Sequence, residues 1–503
     1  MPLTAHPLLA QVASNRWISR LSRLSLATVS ALLLSSAVNA QDLSYAQAEQ
    51  QLLSQSFTSQ AHQALQQASQ LEADAVKGLG LPRIDLNVRA YAFHNKIDVP
   101  LENVKNNLED TLNQNVNQQI DQWQNNQNIQ PDLTASLKEG VYGAIQNGVG
   151  LIPDSANITL EDQVVKPTVS LLMPIYTGGL TSSVKEMANI KAVRSQLNEQ
   201  QQQDLQRFEL IQTYFNVQLQ QKLQDASRFN LNSTQGHYNN ALKLEQQGMI
   251  SKGQRMQFEV ARNNAERSLQ SVSANLQSSI FQLNNLLQRH QIAQLSTPLF
   301  VNTTQSQALN TLLKSYQDES ALIRKLQMDI QLAGVNVKAK SAAKKPTLFA
   351  FGEYGLDDKN NWMVGVMARY NLFSGIDNNK NIQAAKLQQH AAELMTERAK
   401  QEVENMIYKS YSELNSAQHT HEMLQRNLGA AKENLRIQEL SFRESMGTAT
   451  QVIDAQNILN GLESEMAINA YRYVMSLAAL LQSHGSIAQF QNYVNQPNTH
   501  FIR

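Results

Sequence analysis

Apolar residues at Ala261, Ala265, Leu269, Val272, Leu276, Ile280, Leu283 and Leu287 recur at steps of 4, 4, 3, 4, 4, 3 and 4. A stripe this narrow suits a coiled-coil seam rather than the face of a core helix. The 4-4-3 unit is an eleven-residue repeat, which predicts helices that run nearly straight or coil slightly right-handed. The helical pattern opens near Leu180, breaks at Gly248 and resumes to about Arg289. Its first arm, roughly 65 residues, would reach about 100 Å at 1.5 Å per residue. That is far beyond the usual length of a globular helix.

The arrangement occurs twice. An alternating strand from Pro167 to Ile175 turns through Tyr176-Thr177-Gly178-Gly179 into the first long helix. Tyr370-Asn371-Leu372-Phe373-Ser374-Gly375 ends a second strand and opens a second long helix. Gly178 pairs with Gly375, and the tip turn at Gly248 pairs with Gly447. Strand, turn, helix, glycine break and helix, twice over, make an internal repeat. In the last helix Val452, Ala455, Leu459, Leu462 and Met466 step as heptads, and the seam then shifts to Ala470, Tyr473, Leu477 and Leu480. The helix should coil left-handed near Gly447 and straighten further away. Gly485 stops the pattern, and a short loose or docked tail follows.

Helices are also expected over Leu43–Lys77 and Asn310–Lys340. Arg83–Phe93 alternates, with Ile84, Leu86, Val88, Ala90 and Ala92 on one side and Arg83, Asp85, Asn87, Arg89 and Tyr91 on the other. In a soluble sandwich the apolar side faces a core; in an outer-membrane barrel it faces lipid. The strand alone leaves both open. Thr347–Gly355 and Trp362–Phe373 are the third and fourth strands, joined by a turn over Asp357–Asn361. Asn95–Glu161 is a long insertion that reads as a small helical hairpin, or else as a mobile polar loop.

Arg16, Arg20 and Arg23 precede an apolar run from Leu24 to Leu34, and Val38-Asn39-Ala40 offers a cleavage site. Residues 1–40 read as a signal peptide, the run being too short to cross a bilayer as a helix. The chain has 503 residues and no cysteine, which excludes disulfides and cysteine metal sites. The formal net charge is 0 and the mean hydropathy is -0.40, so nothing points to nucleic acid. No nucleophile motif, phosphate loop or carboxylate pair in a pocket pattern is present. No enzyme activity, cofactor or metal is expected. His419 and His421, two apart on a helix, point to different sides and read as solvated rather than as metal ligands. Arg255, Arg262 and Arg267 with Glu245, Glu259 and Glu266 read as pairs on the coil surface near the first tip, or as groups that meet another protein.

The landmarks Pro174-Ile175-Tyr176-Thr177-Gly178-Gly179, Asn371-Leu372-Phe373-Ser374-Gly375, Tyr214-Phe215 and the glycine turns with Asp454-Ala455-Gln456 resemble the TolC family of outer-membrane efflux and secretion channels. The resemblance covers about Gln41 to Ser486. It implies a mixed α/β membrane protein. Three subunits would give four strands each to a twelve-stranded β-barrel, continued by a periplasmic α-helical coiled-coil barrel. The implied organisation is a first repeat over 41–298, a second over 299–486 and a tail over 487–503, with the insertion 95–161 outside the cell. A periplasmic adaptor and an inner-membrane pump or secretion ABC transporter would dock at the tips, Gly248 and Gly447. Pro174, Gly178, Gly179, Phe373 and Gly375 would form the strand-to-helix junctions. Asp454 is a candidate pore-gate carboxylate, or else a solvated side chain on the helix surface, and the family's paired aspartates are reduced here to one. The rival reading is an exported coiled-coil structural or adaptor protein without a channel.

Overall fold

A computed structural model describes residues 42–100, 155–289, 294–304, 307–357, 361–373, 375–444 and 446–502. The expected signal peptide, the helical hairpin within the insertion and most of the Asp357–Asn361 turn lie outside the described residues. In chain order the elements are α1 (Tyr45–Gln55), α2 (Phe57–Ala75), β1 (Arg83–Pro100), β2 (Ser155–Tyr176), α3 (Leu180–Gln246), α4 (Lys252–Leu286), β3 (Phe300–Asn302) and α5 (Leu309–Glu319). Then follow α6 (Ala321–Ala342), β4 (Thr347–Gly355), β5 (Trp362–Arg369), α7 (Asn378–Arg443), α8 (Ala449–His484), α9 (Phe490–Val494) and β6 (Thr499–Phe501). The described residues fall into two compact units, one within Met1–Gln70, Ala192–Ile330 and Ala392–Arg503, the other within Leu71–Lys191 and Gln331–Ala391.

The second unit holds an antiparallel sheet of order β1-β2-β4-β5. The register aligns the apolar positions of all four strands. Ile84 faces Leu171, which faces Gly352, which faces Val364; Leu86 follows through Val169 and Tyr354 to Trp362. The opposite face carries Asp85, Asn87, Lys166, Thr168, Ser170 and Glu353 alongside Leu172, Phe349, Phe351, Met363 and Met367, with Asn87 Nδ2 donating to Ser170 Oγ at 2.9 Å. Arg89 approaches Glu353 at 3.8 Å. β1 and β2 outrun the expected bounds, and β5 falls short of them. β1 continues past Phe93 to Pro100 because Ser155–Glu161 supplies a backbone partner for each added residue. β5 stops at Arg369 rather than at Phe373: its partner β4 begins after Pro346, which lacks an N–H, so nothing pairs with Tyr370 onward.

The first unit is helical. Two single helices expected from the sequence are each split, at Ser56 between α1 and α2 and at Ser320 between α5 and α6. Both serines take extended backbone, with ψ of 140° and 113°. Ser56 Oγ accepts from Ser59 N at 3.0 Å, so a residue that reads as helix interior acts as an N-cap. Gly485 ends α8 in the left-handed region, and a Cβ there would lie 2.6 Å from Glu319 and Ser320 backbone, so only glycine lets α8 close against the second break.

The main core gathers Tyr45, Tyr214, Phe215, Phe300, Tyr473 and Phe490. The rings of Tyr45 and Phe490 lie 5.1 Å apart and those of Tyr214 and Phe215 5.2 Å, both edge-on. Tyr214 is fully buried; its hydroxyl donates to Leu43 O at 2.7 Å and accepts from Thr297 N at 3.1 Å. The tail is docked. Ile487, Phe490 and Val494 enter this core, and β6 pairs antiparallel with β3.

Candidate functional site

Both strand-to-helix junctions place a glycine at positive φ, Gly178 at 67° and Gly375 at 71°. Thr177 Oγ1 accepts from Thr181 N at 3.1 Å to start α3, and Asp377 Oδ1 accepts from Asn379 N at 2.9 Å to start α7. Gly178 is enclosed: a Cβ there would meet Ala342 O at 2.8 Å and Lys345 Cβ at 2.9 Å. Gly375 has open space. Gly179 also has positive φ, at 97°. Pro174 pairs with Phe349 just before a register shift that ends at Tyr176, so the strand is already irregular where the turn begins. Phe373 is 89% exposed in the irregular link.

At the tips, Gly248 takes φ 74° and closes α3 by donating to Glu245 O at 2.9 Å. Gly447 lacks positive φ; instead a Cβ would lie 3.1 Å from Phe442 N, so the turn there needs glycine for space. After each turn a capping box starts the returning helix, Ser251 with Gln254 and Thr448 with Gln451. From Gly178 to Ser251, and from Gly375 to Thr448, the separation is 73 positions. The caps therefore align the repeats more closely than the tip glycines, which differ by two places. S-x-x-Q and T-x-x-Q were readable signals for these starts.

A small core holds the hairpin ends: Ala241, Phe258, Ala431, Leu435, Ala449, Val452, Ala455 and Leu459. The Phe258 ring stands 5.3 Å from that of Phe442. Beside it lies a cleft of about 630 Å³ lined by His237, Lys243, Phe258, Glu439, Phe442 and Arg443, among others. His237 Nε2 is 3.6 Å from Glu439. Burial pushes the His237 imidazole below its usual pKa, and Glu439 and Gln456 partly restore it. Asp454 sits on the exposed side of α8, while its neighbours Val452, Ala455 and Gln456 are buried. Arg255 bridges Glu245, at 3.0 Å, and Glu259. Arg262 instead covers the Tyr238 ring at 5.2 Å. The solvated reading holds for His419, which is exposed, and fails for His421, which is 1% exposed on the packed side of α7.

The sheet has the reverse polarity of a soluble sandwich. Ile84, Leu86 and Val88 are 65–68% exposed and Val364 and Val366 63–70%, while Asp85 and Asn87 on the opposite face are half-buried and Thr168 is buried. Among the described residues no helix is long and apolar enough to cross a membrane.

Residues 312–486 match the sequence family "Outer membrane efflux protein". The chain shares its fold with the channel protein CusC, at TM-score 0.68 and 13% identity over 88% of this chain and 92% of that one. It shares it equally with the outer membrane protein VceC of Vibrio cholerae (TM-score 0.67, 12% identity, 88% and 96% covered). The CmeC outer membrane channel of Campylobacter jejuni is similar at TM-score 0.65 and 11% identity, with 90% and 89% covered. No curated protein sequence matches the chain. Residues 312–486 thus carry the sequence pattern of outer membrane efflux proteins, and most of the chain has the fold of solved outer membrane channel proteins.

Proposed function

We propose that this chain is one subunit of a trimeric exit duct in the outer membrane, reaching into the periplasm. The observation that carries the reading is the exposed apolar face shared by β1, β2, β4 and β5. Each such side chain left in water forgoes roughly 1.5–3 kcal/mol of burial, so the face needs a cover, and the charged and hydrogen-bonding groups of the reverse, Asp85, Asn87, Lys166, Thr168 and Glu353, suit a wet interior. β4 and β5, with 9 and 8 residues, are close to the length that crosses hydrocarbon. Four strands leave two open edges, which lipid does not tolerate. Three copies would close them into twelve strands.

In this reading the long helices line a periplasmic passage, and the sequence divides as signal 1–40, repeats 41–298 and 299–486, and tail 487–503. Pro174, Gly178, Gly179, Phe373 and Gly375 join strands to helices. The tips at Gly248 and Gly447 receive a periplasmic adaptor and an inner-membrane efflux pump or secretion transporter, which supplies the energy. Conduction is passive. Asp454 of three subunits forms a carboxylate ring that draws cations and resists full ionisation through mutual repulsion.

Fractionation and planar-bilayer conductance test this together. Heat-sensitive trimers in the outer membrane with a cation-preferring conductance are expected, and Asp454→Asn should weaken the preference. Soluble monomers would overturn the duct; unchanged selectivity would remove Asp454 from the gate.

A further inference from the structure

His421 lies on α7 with neither Nδ1 nor Nε2 hydrogen-bonded among the described residues, and it is 1% exposed. An imidazole that gives up its water without replacement destabilises the fold. A buried polar group of this kind calls for an explanation, and an ion is one. A second imidazole stands beside it. The His500 ring centre, on β6, is 5.7 Å from that of His421, with the planes 44° apart. Two imidazoles that each reach one ion at about 2.0–2.1 Å hold their ring centres roughly 5 to 6.5 Å apart, depending on the angle between them.

Both rings stand on backbone that is fixed independently. Gln418, one turn before His421, donates to Asn302 O at 2.6 Å and to Thr304 O at 3.2 Å. His500 is held in register by pairing with Val301 of β3. The pair is therefore positioned by the fold rather than by two loose surface side chains.

We propose that His421 and His500 form a two-imidazole site for a transition-metal ion of the kind that prefers nitrogen ligands, zinc(II) or copper(II). No group of three or more His, Cys, Asp or Glu side chains able to hold a metal occurs among the described residues. The remaining positions on the ion are open to water or to a small ligand. With two protein ligands, against the three or four of catalytic and structural zinc sites, the ion exchanges readily. Its structural effect is to clip the C-terminal strand to α7. The site shares no residue with the sheet face or the hairpin tips, so it stands or falls separately from the duct.

The test uses the untagged full-length protein in detergent, titrated with zinc(II) and, separately, copper(II) by calorimetry. The chain has no cysteine, so thiolates add no background. At least one of the two metals should saturate at about one ion per chain. That binding should be lost in His421→Gln and in His500→Ala and kept in His419→Ala. The wild type should also resist carboxypeptidase longer with metal than without, a protection absent from His500→Ala. If His421→Gln fails to fold, His500→Ala, at the exposed end of the pair, decides the matter. Saturable binding of neither metal, or binding that survives His500→Ala, would overturn the site.

Discussion

Gly178 and Gly375 occupy the same place in the two repeats, and replacing each by alanine separates two costs that usually arrive together. Both residues have φ near 70°. An alanine held in the left-handed region costs roughly 1–2 kcal/mol, and the loss of unfolded-state freedom returns about 0.4–1 kcal/mol. Gly375 has nothing within 4 Å of a would-be Cβ, so Gly375→Ala should lose no more than about 1.6 kcal/mol by these opposing terms. At Gly178 the new methyl meets a carbonyl oxygen at 2.8 Å and a side-chain carbon at 2.9 Å. The oxygen is backbone and cannot swing aside. Overpacking of this kind adds about 1–3 kcal/mol. Urea unfolding of the detergent-solubilised protein, followed by circular dichroism with the slope held common, should therefore show a lower midpoint for Gly178→Ala than for Gly375→Ala. Equal midpoints, or a lower one for Gly375→Ala, would refute the claim that close approach, rather than backbone conformation, is what demands glycine at the first junction.

Phe258→Ala should cost about 3–5 kcal/mol within the small core at the tips, seen as faster amide exchange in the ends of α3, α4, α7 and α8 while the main core stays protected. Phe490→Ala, in the docked tail, should cost a similar amount, but in the main core, lowering the melting temperature of the whole helical unit. His237 gives a pH dependence. Its folded pKa is depressed by burial, so the native state binds fewer protons than the unfolded chain. Its contribution is fully present above the usual histidine value and is lost as pH falls from there through the depressed one. Stability measured between pH 7 and pH 5 should decline, and His237→Phe should flatten the decline; an unchanged slope would assign it to other groups.

Periodicity carried the seams because they are one-dimensional: Ala265, Leu276 and Leu283 of α4, and Val452, Ala455 and Leu459 of α8, are all buried where their spacing places them. The strands were readable wherever one face is apolar. They became unreadable past Phe93, where only backbone pairing to Ser155–Glu161 sustains β1. Ser56 and Ser320 broke helices invisibly, because a serine inside a helical pattern signals an N-cap only when the following turn needs one. β3 and β6 are 3 residues each, and their pairing joins residues 197 to 201 positions apart, beyond any local pattern. His421 looked like surface because its covering, the returning tail, comes from the far end of the sequence.

The common interval from junction glycine to returning cap fixes an angle as well as a distance. One residue added midway along α3 would turn everything beyond it by about 100° and advance it by about 1.5 Å, swinging the tip core's Ala241 away from its neighbours. The lengths at which these arms can grow or shrink are therefore quantised, near seven or eleven residues, where an apolar seam returns to the same side. Any such change must be made in both halves of the chain, or the two tips no longer end level.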